Sequence, residues 1–216
     1  MRARVAILAG CVVIALLTAW YAGSQFPPPA PGPAPGTVRL GPDAGEPVAD
    51  YLARLPAELP APGASAYALV QFGTELVGAD AAAAAAGTEP STVVFRVLLD
   101  RVQTALRFEA LGSIPVAQDR AGNSAAADAA RLVGRARDVA AAEAAALADP
   151  GCACVVALVV RGERTALQAL TADPRVRAVH AAPADADPVE LALSPLLPAQ
   201  TVAADPLPDD GPVPPP

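Results

Sequence analysis

Residues 152–181, CACVVALVVRGERTALQALTADPRVRAVHA, decide how the rest of the chain is read. Cys152 to Val160 is apolar at nearly every position, where a strand with one solvated face would alternate. Such a run suits a strand covered on both faces and therefore central in a sheet. Arg161-Gly162 ends it, a helical pattern follows, and Pro174 separates that pattern from a second β-like run, Val176 to Val179. The order is strand, helix, strand.

Moving toward the N-terminus, Ala66 to Phe72 (AYALVQF) reads as an earlier strand. Gly78 to Ala86 carries Asp80 ahead of an alanine run with Gly87 just past it, the expected order of helix start and stop signals. Ser91 to Leu99 (STVVFRVLL) completes a second strand, helix, strand unit. Within residues 101–118, Val102, Thr104, Leu106 and Phe108 alternate with polar neighbours and favour a strand over a helix. Gly122-Asn-Ser124 reads as a turn. Ala125 to Ala148 reads as one long alanine-rich helix closed by Asp149-Pro150-Gly151, with Asp128, Arg131, Arg135 and Asp138 as a solvated face.

Two such units predict an α+β domain over 64–183, a ferredoxin-like sandwich with the long helix inserted between its halves or covering the sheet. Ahead of it, 26–63 reads as a Pro-rich spacer. It contains a short helix over 47–55, in which Val48, Tyr51, Leu52 and Leu55 share a face and Pro56 is the stop. In the tail, 184–216, rich in Pro and Asp, only Val189 to Leu197 (VELALSPLL) is apolar enough to meet the domain surface or a partner, and the rest is expected to lack fixed structure.

Residues 1–25 set the address. Arg2 and Arg4 precede an uncharged apolar stretch, Val5 to Gly23, about as long as the roughly 20 residues a membrane-spanning helix needs. A signal anchor with a cytoplasmic N-terminus follows, Trp20 and Tyr21 lying at the outer interface and the domain outside the cell membrane. Leu8-Ala9-Gly10-Cys11 matches a lipobox, but the apolar run ahead of Cys11 is short and continues beyond it, so lipidation of Cys11 is disfavoured.

The chain has 216 residues, a formal net charge of -7 and no lysine. That balance excludes a nucleic-acid partner, for which several phosphates must be neutralised. Aromatics are 4% of the residues, so the core must be built from Val, Leu and Ala. There is no Gly-x-Ser-x-Gly, no P-loop and no glycine-rich dinucleotide fingerprint, and no catalytic residue, cofactor or metal is assigned. His180 is the only histidine and reads as a surface or strand-end residue. Asp185 and Asp187, flanking Ala186, read as solvated loop carboxylates.

Cys152 and Cys154 are the most specific feature. Residues i and i+2 of a strand share a face, and thiols outside the membrane tend to be oxidised. Three readings stand: a small, strained disulfide that is readily reduced, two buried thiols, or half of a metal site completed by a partner. The structural reading comes first and a redox pair second.

The anchor together with Tyr67-Ala-Leu-Val-Gln-Phe72, Cys152-Ala-Cys-Val155 and Val176-Arg-Ala-Val179-His-Ala-Ala-Pro183 resembles membrane-anchored extracytoplasmic proteins of GC-rich Gram-positive bacteria. That resemblance brings no activity with it. Leu167, Leu170, Pro174, Val176 and Val179 are similar to the ending of ferredoxin-like propeptides that chaperone and inhibit subtilisin-type proteases, which implies an inhibitor or chaperone. With no convergent catalytic set, the leading expectation is a non-enzymatic module of the cell envelope that binds another envelope protein. The alternatives are a thiol-disulfide or metal-handling protein centred on Cys152 and Cys154, and a protease inhibitor.

Overall fold

The computed structural model describes residues 16–18 and 34–214. The chain divides into two units, 1–34 and 35–216. In the first, residues 16–18 are helical. Arg2, Arg4, Cys11, Trp20, Tyr21 and most of the expected membrane segment lie outside the described residues. Among the described residues no helix is long and apolar enough to cross a membrane.

The second unit is α+β. Its main sheet contains β2 (Ser65–Leu76), β3 (Glu89–Phe95), β4 (Arg107–Ala110), β5 (Val155–Glu163) and β6 (Val176–Ala181) in the order β4-β3-β5-β2-β6. All neighbouring strands are antiparallel. β2 and β3 thus run parallel on either side of β5, joined by helix α2 (Gly78–Ala84). β5 and β6 run parallel on either side of β2, joined by helix α5 (Arg164–Leu170). The two crossover units interlock, and β5 is central as its apolar run predicts: Val155 through Val160 are all buried. The strand starts at Val155, so the two cysteines precede it. The ambiguous segment supplies a fifth strand at the edge, four residues long, and is helical from Ile114.

The insertion is a helical hairpin, α3 (Ile114–Arg131) and α4 (Gly134–Leu147), in place of one long helix. The chain leaves helical geometry at Leu132 and Val133 and re-enters at Gly134, whose φ of 59° is left-handed. Gly122-Asn-Ser124 is inside α3 and forms no turn. A Cβ on Gly122 would meet Leu147 at an ordinary contact distance of 3.5 Å, so the glycine faces α4 without being required there.

All four helices α2 to α5 contribute to one apolar layer with Val70, Phe72, Phe95 and Leu158 on one face of the sheet. The opposite face is covered by the segments read as spacer and tail. Strand β1 (Val38–Leu40) pairs in parallel with β7 (Leu191–Leu193), and both pack with Leu69, Val94, Val156 and Val159. Helix α1 (Val48–Glu58) packs with Ala178 and Leu196. It runs through Pro56, whose fixed φ is itself helical and costs only one amide hydrogen bond near the helix end.

The tail is therefore ordered against expectation. Ser194 N donates to Leu40 O (2.8 Å), Val48 N to Val202 O (2.9 Å) and Ala204 N to Glu46 O (2.9 Å), while Arg177 Nη2 donates to Gln200 O (2.7 Å). Its composition is that of a disordered segment, but Leu191, Leu193 and Leu196 fall where the second face needs cover.

Candidate functional site

On the helical face, a groove of about 740 Å³ opens between α2 and α3. Val77, Gly78 and Ala82 from the α2 side and Ile114 and Pro115 from α3 line it, together with Leu158 of the sheet. Its size falls within the usual range for ligand sites, about 300–1,000 Å³. Gln118, also in the lining, donates to Leu147 O (3.0 Å) and Asp149 O (2.7 Å), pinning α3 to the end of α4. Its amide is thus engaged within the protein.

The rim of this groove includes Pro150 and Gly151, the residues just before Cys152. Asp149 shapes that corner: its Oδ1 accepts from Gly151 N (2.8 Å) and its carbonyl accepts from Cys152 N (3.0 Å). Cys152 and Cys154 are joined as a disulfide, with Cα atoms 5.3 Å apart. Cys154 is buried, and its carbonyl accepts from Arg96 N (2.7 Å). The pair and the groove wall are thus consecutive in the chain. Among the described residues, no group of three or more His, Cys, Asp or Glu side chains is placed to hold a metal ion.

His180 is not a surface residue. It lies on β6, 6% exposed, on the face covered by the termini. Nδ1 accepts from Gly41 N (2.9 Å), so the ring proton belongs on Nε2, which is 3.1 Å from Glu58 Oε2. Gln71 Nε2 donates to the Tyr51 hydroxyl (2.7 Å), leaving that hydroxyl to donate to His180 Nδ1 (3.2 Å). Gln71 Oε1 accepts from Leu196 N (2.6 Å). One buried chain of polar groups thereby ties the N-terminal arm, α1, the sheet and the tail together.

Burial pushes the Tyr51 phenol up to about 12 and holds the His180 imidazole below its ordinary value, against the opposing pull of the Glu58 carboxylate. Both groups stay neutral at pH 7. A catalytic base needs a free lone pair facing a substrate, whereas here Nδ1 already accepts from Gly41 and Tyr51.

A second buried polar set lies behind the hairpin. Arg107, from β4, donates from Nη2 to Glu143 Oε2 (2.5 Å) and from Nη1 to Asp128 Oδ2 (3.0 Å), and Glu143 Oε1 accepts from Ala105 N (2.6 Å). Asp128 therefore anchors the hairpin to the sheet edge as well as pairing with Arg131 (2.5 Å) on its own helix. Asp187 caps a short 3₁₀ turn, its Oδ1 accepting from Val189 N (3.0 Å), so its carboxylate does structural work.

Tyr51, Glu58 and Gln71 were missed from the sequence. Gln71 left the clearest signal: it is the polar residue inside the apolar strand Ala66 to Phe72, and at 0% exposure it must find partners for both ends of its amide. Tyr51 reads as part of the apolar face of its helix, but the partner of its hydroxyl is not marked, and Glu58 left no signal, because both act across elements far apart in sequence. No family model, curated protein or solved structure matches the chain.

Proposed function

We propose that the chain is a non-enzymatic, membrane-tethered protein-interaction module of the cell envelope, with its N-terminus cytoplasmic and the α+β unit outside. The observation that carries this reading is the groove between α2 and α3, an apolar concavity on the rigid face of the sheet. The groups best equipped for chemistry, by contrast, are occupied with one another: His180 with Gly41, Tyr51 and Glu58, and Cys152 with Cys154. An apolar segment of another envelope protein is the occupant that suits the groove.

The fold reading that accompanies it is a ferredoxin-like sandwich. The order β3-β5-β2-β6 with two interlocked crossovers supports it, β4 and the α3-α4 hairpin being additions between the halves. Such a fold hosts many functions, so its topology selects none of them.

The reading is tested by placing a photo-crosslinking residue at Ala82, exposed in the groove wall, and at Arg137, exposed on α4, in the full-length protein in its native membrane. A discrete adduct from position 82 and none from position 137 is the expected result. Identical patterns from both positions, or substrate turnover by the purified protein, defeat the reading.

A second reading, a thiol-disulfide protein, is favoured by the bonded cysteines beside the groove rim, where an apolar substrate segment would lie next to the disulfide. The inhibitor reading requires a tail free to enter a protease cleft. Hydrogen bonds from Ser194, Ala204 and Gly211 to the rest of the unit weigh against it.

A further inference from the structure

The last part of the tail is held differently from the rest. Residues 209 and 210 are exposed and charged, yet 207–211 are gripped by a dense set of directional bonds. Arg101 Nε and Nη2 donate to the two carboxylate oxygens of Asp210 (2.7 and 2.5 Å), a fork-on-fork pairing. Asp209 Oδ1 accepts from Gln103 N (3.1 Å) and from Arg135 Nη2 (3.1 Å). The tail backbone is read as well: the Gln103 side-chain amide donates to Leu207 O, Arg135 Nη1 donates to Gly211 O (2.8 Å), and Gly211 N donates to Arg101 O (2.7 Å).

The contact also selects its last residue. A Cβ on Gly211 would lie 2.2 Å from Asp100 O and 2.9 Å from Arg101 O, so glycine is required. Arg101 itself has φ 53°, the one non-glycine positive φ among the described residues, and such outliers gather where a segment is held for binding. Arg101 and Gln103 come from the loop between β3 and β4, and Arg135 from the first turn of α4. The receiving surface is thus assembled by the fold, while the bound segment is a short linear sequence. Polar contacts dominate, and Asp209 and Asp210 are exposed, so the segment is open to exchange.

We propose that Arg101, Gln103 and Arg135 form a recognition site for an extended peptide containing Asp-Asp-Gly, occupied here by the chain's own Asp209-Asp210-Gly211. A partner protein bearing such an acidic segment binds there by displacing the tail. The inference rests on the protein-interaction reading and gives it a second, polar surface that shares no lining residue with the apolar groove.

The test uses the full chain and a fluorescently labelled synthetic peptide of residues 205–216. A tail tethered in cis acts at an effective concentration of about 1 mM, so against a peptide of roughly 0.1 mM affinity it weakens apparent binding about tenfold. The D209A/D210A chain should therefore bind the peptide about tenfold more tightly than the wild-type chain. That binding should be lost when Arg101→Ala is added or when the peptide carries Asn at both aspartates, and should weaken as salt is raised. A vacated chain that is folded yet takes no peptide, or a wild-type chain that binds equally well, overturns the proposal.

Should the vacated chain fold poorly, hydrogen exchange on the wild-type chain with and without a large excess of the unlabelled peptide decides. Faster exchange at the protein's Gly211 amide with β5 still protected shows displacement of the tail and supports the site, and unchanged exchange at Gly211 overturns it. Neither experiment involves position 82, so this inference and the groove reading fail separately.

Discussion

Acidification from pH 7.5 to 5.5 titrates His180, the one histidine of the chain, before the carboxylates begin to protonate. Gly41 N–H and the Tyr51 hydroxyl both converge on Nδ1, so a proton added there removes the acceptor of both bonds. Burial is the largest influence on the ring and opposes its charge, and Arg54 opposes it too, while Glu58 and Glu46 favour it. The net result is a folded-state pKa below the ordinary value. The unfolded chain takes up its proton from about pH 6.5 downward while the folded chain resists, so stability is full above that pH and falls as the pH drops.

The slope approaches about 1.4 kcal/mol per pH unit, which over the interval from 7.5 to 5.5 sums to about 1.4 kcal/mol at most. With a urea dependence of about 2 kcal/mol per molar, the unfolding midpoint should fall by about 0.7 M. Urea melts followed by circular dichroism at half-unit pH steps measure this directly. His180→Asn supplies the control, since its side-chain oxygen can accept near the place of Nδ1 but does not titrate. A wild-type midpoint that stays level, or an equal decline in the variant, refutes the argument. A midpoint that rises on acidification would mean that Glu58 outweighs burial.

The other expectations concern the hairpin, the arm and the disulfide. Glu143→Ala leaves Arg107 charged and half-paired in a buried position and should cost about 3–5 kcal/mol in urea unfolding, whereas R107M/E143L should recover most of that loss. Gly41→Ala places a methyl 1.7 Å from Ser194 O at a backbone φ of 128°, so it should separate β1 from β7 and lower stability by about 2 kcal/mol or more, with exchange protection lost first at Ser194. Cys152 and Cys154 should resist alkylation in the folded oxidised protein, and reduction should add two labels beyond any taken by Cys11, as read by intact mass. Because their ring encloses Ala153 alone and chain-entropy stabilisation grows with loop length, reduction should cost only about 1.6 kcal/mol, roughly half of what a 15-residue loop would lose.

Local pattern was enough for the sheet's middle. The unbroken apolar run Val155 to Val160 announced a strand buried on both faces, and both crossover units were legible from Gly, Pro and alanine placement around them. The anchor reading also rests on sequence alone, since all of that segment but residues 16–18 falls outside the described residues. What covers the second face was not legible, because β1 and β7 are three residues each and pair across more than 150 positions. Val189 to Leu197 stands out as the apolar part of the tail, but which surface it meets is not marked, and Val38 to Leu40 carries no mark at all. The break at Leu132 and Val133, the helical fate of Gly122 to Ser124 and the burial of His180 share that cause: each depends on a partner surface absent from its own neighbourhood. Periodicity reports which residues seek cover, and only the tertiary structure decides what covers them, because burial and the pairing of polar groups such as Gln71 with Leu196 are set by contacts distant in the chain.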